Sequence, residues 1–436
     1  MEAGIESARR PGRRAMIQQL AGSDTGRAAG MGAAVIAVNV IALVFTVVFA
    51  RILGASGYGS LAALISAFII LMVAGSSLQI ATAREVSHAV ADRDQHAGAG
   101  VRRWLRQLAL ASILVAVVAI PFRDLLGAAI NVDEVWAAAA VPFTAMMWAI
   151  VCVERGALQG FQSYRLIAFS MVGEAMARLF FGLLLYAIGL GVTGAFLGQA
   201  AALITVALVL GAPLGRRLPH ASAPAKRLRD LLAGSWLPMA ALTLLFVLQE
   251  IHVIVVKHEV SGDAAGSYAV AAVAAKAIIW VAIGLGLYLL PETARRAKLG
   301  EDARSILVRT LALIGVTSVP MVLIYAAGAE PLLGAVFGDD LTEASGALPW
   351  LGLAMTLLAC SYLSVQYMLA IGRPTFLWVL APAAVAEVAV LVIVGADLTS
   401  VAIALFGLQL ICAALMLILS LRRPPERERV GTYIPA

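Results

Sequence analysis

The chain alternates long apolar stretches with short polar segments that are rich in basic residues. Each apolar stretch is near the ~20 residues that an α-helix needs to cross the hydrocarbon core of a bilayer. The pattern therefore predicts an all-α integral membrane protein with twelve transmembrane helices. The predicted spans cover residues 28–50, 58–83, 104–122, 135–157, 166–188, 192–213, 234–256, 267–290, 307–327, 346–369, 375–395 and 399–421.

Basic residues are distributed unevenly between the two sides of these spans. Of the 32 Lys and Arg residues, 27 fall in the tails and alternate loops on one side, and only Arg51, Arg123 and Lys257 fall on the other. Because cytoplasmic loops carry an excess of Lys and Arg, the more basic side is predicted to be cytoplasmic. We expect a multi-pass protein of the cell inner (cytoplasmic) membrane with both termini in the cytoplasm. Arg178 and Lys276 are left inside the spans.

Composition leaves little of the chain for other functions. The chain is 61% hydrophobic and 13% charged, and the spans consume nearly all of it. The net charge of +6 comes mainly from the topology-setting loops, so we expect membrane lipids as partners and no nucleic acid. There is no G-x-x-x-x-G-K-[ST] or H-E-x-x-H motif, and Cys152, Cys360 and Cys412 fall within spans. We therefore predict no enzyme, no catalytic residue, no cofactor and no metal site.

The two halves of the chain carry landmarks at matching positions. Tyr58 follows the first span and Tyr268 follows the seventh. From Tyr58 to Gly160, which lies after the fourth span, is 102 residues, and from Tyr268 to Gly372, which lies after the tenth span, is 104. Glycine and tyrosine are common at helix ends, but the equal spacing favours a duplication into two parallel six-helix repeats around a central cavity. The predicted parts are a cytoplasmic basic tail (1–27), an N-terminal six-helix bundle (28–213), a cytoplasmic linker (214–233), a C-terminal six-helix bundle (234–421) and a cytoplasmic tail (422–436).

Several short motifs occur in a fixed order along the chain. They are Arg51-x-Leu-Gly-x-x-x-Tyr-Gly, Gly156-Ala-Leu-Gln-Gly-Phe-Gln, Glu174-x-x-x-Arg178, Val253-Ile-Val-Val-Lys-His258 and Ala265-Gly-Ser-Tyr-Ala269. With these motifs the chain resembles oligosaccharide flippases of the Wzx type, which are related to lipid II flippases and to multidrug and toxin extrusion antiporters. The resemblance covers essentially the whole chain.

The resemblance implies a function. A protein of this family moves a polyprenyl-diphosphate-linked oligosaccharide across the cytoplasmic membrane by alternating access, for cell-surface polysaccharide biosynthesis. Its expected partners are this lipid-linked substrate, a polysaccharide polymerase and glycosyltransferases. The alternative is a cation-coupled multidrug or small-molecule antiporter of related fold. Such an antiporter is expected to place a carboxylate in its first helix, where this chain has Asn39 and no acid.

Charged residues inside the spans are the candidate substrate-binding residues, because an intramembrane charge usually faces the bundle interior or a wet cavity. Glu174 and Arg178 lie four residues apart, so the spacing predicts that they neutralise each other on one helix face. Arg178 then either braces helices or gives bidentate contacts to a diphosphate. Glu387 lies 15 residues after Gly372, as Glu174 lies 14 after Gly160. It has no basic neighbour in its helix, which favours a protonated, structural carboxyl over a cation or substrate ligand.

The remaining candidates lie in the seventh and eighth spans and at the end of the first. Lys276 and Glu250 lie at similar depths of antiparallel helices and could pair, or Lys276 could line the cavity. His252 stands where related proteins often have an acid, and is either a titrating or a packing residue. Arg51 is an interfacial anchor or a helix cap, or else, as the resemblance suggests, it guards the outer gate.

Overall fold

The computed structural model describes residues 24–92, 98–218, 227–234, 236–299 and 301–422. Most of the two predicted cytoplasmic tails and residues 219–226 of the predicted linker lie outside these ranges. Within them, the chain is helical and contains no β-strand. The prediction of an all-α membrane protein is therefore confirmed.

The helices follow one another with short connections. They are α1 (Asp24–Ala91), α2 (Ala99–Ala119), α3 (Arg123–Ile130), α4 (Val135–Gly160), α5 (Tyr164–Leu185), α6 (Gly191–Arg217), α7 (Leu228–Gly234), α8 (Trp236–Glu259), α9 (Gly262–Lys298), α10 (Arg304–Phe337), α11 (Leu348–Ala370), α12 (Leu377–Val394) and α13 (Leu398–Leu421). A π-helical segment, Tyr186–Leu190, joins α5 to α6, and short 3-10 turns precede α11 and α12.

Most of each predicted span lies in one of these helices, and the first two spans both lie in α1. In the described part of the chain, nine helical runs are long and apolar enough to cross a membrane, or ten if the pair formed by α2 and α3, bent by 85°, counts as one span. Two of the runs, Gly30–Ala91 with 62 residues and Tyr164–Arg217 with 54, are each long enough for two crossings. The helices are therefore consistent with twelve crossings.

The first of these long runs is broken at Gly54. Without a break, the 68 residues of α1 would extend about 100 Å, far more than a bilayer. Gly54 has φ 67° and ψ −179°, a backbone conformation that is essentially restricted to glycine. The side chains of Thr46 and Tyr58, twelve residues apart along the chain, lie close enough to interact. That contact requires α1 to turn back at Gly54. The helix α1 therefore forms both of the first two spans.

The chain reversals gather at two opposite faces of the bundle. At the Gly54 face, where the chain turns at Gly54, the Tyr186 hydroxyl donates a hydrogen bond to the carbonyl of Ile52. At the other face, which we name the Gly98 face, Arg102 donates a hydrogen bond to the carbonyl of Gly215 at 2.7 Å. The sides of the bundle between these faces expose apolar side chains such as Trp378, as expected for a surface in contact with lipid.

The two halves of the chain touch closely at the Gly54 face. A Cβ on Gly59 of α1 would lie 3.0 Å from the backbone nitrogen of Gly266 in α9 and 3.3 Å from the carbonyl oxygen of Gly262. Ser56 packs against Gly262 in the same region. Small residues here allow the backbones of α1 and α9 to meet, as is common between transmembrane helices.

We expect Gly54→Ala to destabilise the protein by about 1–3 kcal/mol, because a Cβ is strained at this positive φ and extended ψ. Nothing lies within 4 Å of a Cβ added at Gly54, so the cost comes from the backbone and not from a clash. The matched control is Gly173→Ala in α5, where an added Cβ also meets nothing within 4 Å and φ is not positive. Thermal unfolding of the purified variants in detergent measures the difference. Equal unfolding temperatures for the two variants would contradict the role of Gly54.

Candidate translocation site

Three helices, α1, α8 and α9, form the contact between the two halves. Near the Gly54 face they are buried on every side, over residues 58–64, 252–257 and 264–272. Toward the Gly98 face the same helices lose neighbours, and residues such as Leu71 and Tyr288 are exposed. This gradient of burial indicates that the halves pack most tightly near the Gly54 face and less tightly toward the Gly98 face; we name the region between them on that side the cleft.

A buried carboxylate lies where the halves meet. Glu250 of α8 is only 1% exposed. Its Oε2 lies 2.7 Å from Lys276 Nζ of α9 and accepts a hydrogen bond from Ser66 Oγ of α1 at 2.8 Å. Its Oε1 accepts a hydrogen bond from Gln249 Nε2 at 3.0 Å. The matching depths of Glu250 and Lys276 thus correspond to a real ion pair, and Ser66 adds a bond from the other half of the chain.

His252 lies two residues after Glu250 and is fully buried, with a partner for each ring nitrogen. Its Nε2 lies 3.0 Å from the carbonyl oxygen of Gln249, so Nε2 carries the proton that is donated. Its Nδ1 lies 3.0 Å from the Tyr268 hydroxyl, which donates to it in the neutral tautomer. Because both nitrogens are satisfied in a neutral ring, the geometry favours the packing role for His252.

The sequence-based pairing of Glu174 with Arg178 is wrong. Glu174 Oε2 instead lies 2.8 Å from Nη2 of Arg155, which comes from α4, and Glu174 Oε1 accepts a hydrogen bond from Gln199 Nε2 at 3.3 Å. Both carboxylate oxygens are thus engaged by neighbouring helices. Arg178 remains within electrostatic range of Glu174 without a hydrogen bond to it. The physical reason is that the packing of α4 and α6 against α5 brings better-placed donors to the carboxylate than its own helix offers.

Arg155 also corrects the count of basic residues inside the bundle. The charge pattern assigned it to a cytoplasmic segment, yet its side chain is only 4% exposed and donates to Ser170 Oγ as well as to Glu174. Arg178 and Lys276 are therefore not the only basic side chains enclosed by the helices.

Arg178 makes few hydrogen bonds for an arginine. Its guanidinium lies over the Phe45 ring, 4.3 Å from the centroid, and Nη1 reaches Gln199 Oε1 only at 3.5 Å. The Nε atom is buried and has no hydrogen-bond partner among the described residues. A guanidinium carries five N–H donors, so most of the donors of Arg178 are available to another group.

Tyr58 connects this region to the Glu250 cluster. Its buried hydroxyl lies within electrostatic range of both Arg178, in the N-terminal half, and Glu250, in the C-terminal half. The candidate residues Arg178, Glu250 and Lys276 therefore lie around one part of the interface between the halves.

Glu387 lies in a different environment from Glu174, although the two occupy matching positions in the halves. Glu387 is fully buried, and its Oε2 accepts a hydrogen bond from Gln409 Nε2 at 3.2 Å. The Oε1 atoms of both side chains have no partner among the described residues. A protonated Glu387 would let its hydroxyl bond Gln409 Oε1, so the arrangement favours the structural, protonated carboxyl. The Glu387–Gln409 pair is the counterpart of Glu174–Gln199, without a nearby arginine.

Arg51 lies away from the cleft, at the Gly54 face. Its side chain donates to the carbonyl oxygens of Ala335, at 2.8 Å, and Val336, at 3.1 Å, in the last turn of α10. A cation at a helix C-terminus satisfies free carbonyls and complements the helix dipole. Arg51 thus acts as a helix cap that joins the two halves, which is one of the sequence-based alternatives, and a role at an outer gate stays a prediction.

Sequence reasoning missed the polar partners of the charged residues. Ser66, Gln199, Gln249 and Gln409 are uncharged, so a search for intramembrane charges passes over them. The available signal was a glutamine inside an apolar span, because such a residue needs a partner as well. Arg155 could have been found from its place within the predicted span 135–157.

The fold and these buried polar groups define a multi-pass helical membrane protein with a polar cleft between two halves. A family model described as "Polysaccharide biosynthesis protein" matches residues 29–291, which is more than half of the chain. The chain therefore belongs to this family. No curated protein matches the chain.

Solved structures of transporters share the fold at low sequence identity. One is an inward-facing conformation of a multidrug resistance MATE family transporter of the MOP superfamily, with a TM-score of 0.73 and 13% identity over 88% of this chain and 93% of that one. Another is the lipid II flippase MurJ in an inward closed conformation, with a TM-score of 0.70 and 12% identity over 92% of this chain and 89% of that one. The chain therefore has the fold that the sequence resemblance implied.

The two matching glutamates give a sharp prediction about stability. Glu174→Gln leaves Arg155 without its anion, so we expect a loss of about 3–5 kcal/mol. Glu387→Gln keeps the hydrogen bond with Gln409 and supplies a donor for the free Gln409 Oε1, so we expect a change below about 1 kcal/mol. Thermal unfolding of both variants in detergent measures the effects. If Glu387→Gln destabilised the protein as much as Glu174→Gln, Glu387 would have to be ionised and paired.

Proposed function

We propose that the protein is a flippase that translocates polyprenyl-diphosphate-linked oligosaccharide across the cytoplasmic membrane for cell-surface polysaccharide biosynthesis. The family supports a role in polysaccharide biosynthesis, and the shared fold supports transport as opposed to catalysis. The observation that carries the proposal for the substrate is Arg178, an enclosed guanidinium whose donors are mostly unused. A diphosphate supplies the oxygens that such a guanidinium can bind in a bidentate manner.

The cleft supplies further features that fit this substrate. Arg178 belongs to the N-terminal half and Lys276 to the C-terminal half, so each half offers a diphosphate bound between them one cation. The apolar sides of the bundle allow the polyprenyl tail to remain in lipid while the polar headgroup enters the cleft. The halves then close around the headgroup and separate at the other face, which is alternating access.

The orientation follows from the charge pattern. We propose that the Gly98 face is cytoplasmic, because the loops that carry most of the basic residues belong to this face. The cleft then opens toward the cytoplasm in the conformation described here. A lipid-linked precursor assembled in the cytoplasm would enter it directly, and glycosyltransferases and a polymerase are the proposed partners before and after translocation.

We expect Arg178→Gln to abolish, or lower at least tenfold, the translocation of a fluorescent polyprenyl-diphosphate oligosaccharide by purified protein in liposomes without ATP. The reason is the loss of a charge-assisted, bidentate contact with the diphosphate. Arg102→Gln at the Gly98 face is the matched control, because it removes the same charge outside the cleft; it is expected to retain activity.

Two outcomes of this assay would redirect the proposal. Undiminished translocation by folded Arg178→Gln would remove Arg178 from the site. Failure of the wild-type protein to move the lipid-linked sugar, together with cation-driven efflux of a small organic cation, would favour the antiporter alternative.

A further inference from the structure

We propose that Glu250 is a proton-binding site whose occupancy is coupled to the capture of an anion by Lys276, so that the protein takes up one proton when it binds its substrate diphosphate. This inference rests on the proposed function. It concerns the carboxylate itself, which the proposed binding of the substrate does not use.

The negative charge of Glu250 is balanced by the positive charge of Lys276. The Glu250–Lys276 pair has no net charge, and Oε2 of the carboxylate accepts from both Lys276 Nζ and Ser66 Oγ. Glu250 is 1% exposed and Lys276 is 7% exposed, so both are buried and Lys276 is the more exposed of the two. Lys276 is therefore the member of the pair that an anion in the cleft can reach.

Capture of a diphosphate by Lys276 disturbs this balance. The ammonium group is then shared between the anion and the carboxylate, and a second set of negative charges lies close to Glu250. Like charges in a water-poor site cannot both remain ionised at low cost. Uptake of a proton at Glu250 removes the repulsion, since a neutral carboxyl needs no counter-ion.

Among the residues that the structure describes, no other cation hydrogen-bonds Glu250, and Arg178 of α5 approaches this region only through Tyr58, which interacts electrostatically with both. On its own helix, Gln249 is neutral and His252 is held in a neutral form by its two hydrogen bonds. On α1, Ser66 is a neutral donor and Tyr58 is within electrostatic range. Other titratable groups lie farther away. Glu387 of α12 lies within electrostatic range of Tyr268, and Lys257 and His258 lie at the end of α8, beside α3.

Protonation also affects the contact between the halves. The Ser66–Glu250 bond joins α1 of one half to α8 of the other, and a hydrogen bond to a carboxylate is roughly twice as strong as one between neutral groups. When Glu250 becomes neutral, this bond weakens while the substrate is bound. Anion capture thus loosens a connection that separation of the halves at the Gly54 face must break.

The test is calorimetric binding of farnesyl diphosphate, a short polyprenyl diphosphate, to the full-length protein in buffers of different ionisation enthalpy. Wild type is expected to take up about one proton more than Glu250→Gln. As the pH rises, the affinity of wild type for farnesyl diphosphate is expected to fall by up to tenfold more per pH unit than the affinity of Glu250→Gln. The protons bound by the ligand itself cancel in this comparison. Glu292→Gln removes a carboxylate at the Gly98 face that is paired with Arg295 and Arg296, and it is expected to match wild type.

A second measurement does not depend on the folding of a variant. The infrared difference spectrum of the wild-type protein is expected to gain the band of a protonated carboxyl when farnesyl diphosphate is added. Binding without that band, or equal proton uptake by wild type and folded Glu250→Gln, would overturn the inference and leave the proposed function intact. Absence of binding by the wild-type protein would overturn both.

Discussion

A charge enclosed by transmembrane helices must be neutralised by a partner, because lipid and apolar side chains solvate it poorly. The organisation of this protein follows from that constraint. Glu174 is neutralised by Arg155 and Glu250 by Lys276, in each case by a residue from a neighbouring helix of the same half. Glu387 has only the amide of Gln409, which suits a neutral carboxyl. Arg178 is the exception, and an enclosed cation with unused donors is what makes an anionic substrate physically reasonable.

The same constraint separates the contacts that persist from those that change. The ion pairs lie within the halves, so each half can move as a body without separating buried charges. The contacts between the halves are of other kinds and include close packing of Gly59 against Gly266, the cap that Arg51 provides for α10, and hydrogen bonds such as Ser66–Glu250. Breaking any of these contacts leaves no unpaired charge buried in a site without water. Protonation of Glu250 is a separate change, because it alters a buried charge directly. The fold therefore permits rocking motion at modest cost.

Much of the fold could be predicted from the sequence, since each apolar stretch of about 20 residues has one main solution in a bilayer. The pairing of Lys276 with Glu250 was one of two alternatives that their similar depths left open. The partner of Glu174 could not be predicted, because it depends on how α4 and α6 are rotated against α5, and hydropathy carries no information about rotation. Arg155 was misplaced for the same reason: a basic residue near the end of a span can face either the cytoplasm or the interior. The neutral partners Ser66, Gln199 and Gln409 carry no charge signal.

The central claim is that capture of a diphosphate between the halves drives them together at the Gly98 face and apart at the Gly54 face. Distances between spin labels test it most directly. One pair at exposed positions 90 and 288 reports on the Gly98 face, and another at exposed positions 122 and 340 reports on the Gly54 face. Addition of farnesyl diphosphate is predicted to shorten the first distance and lengthen the second. If binding occurred and both distances stayed the same or changed in the same direction, the account would be contradicted.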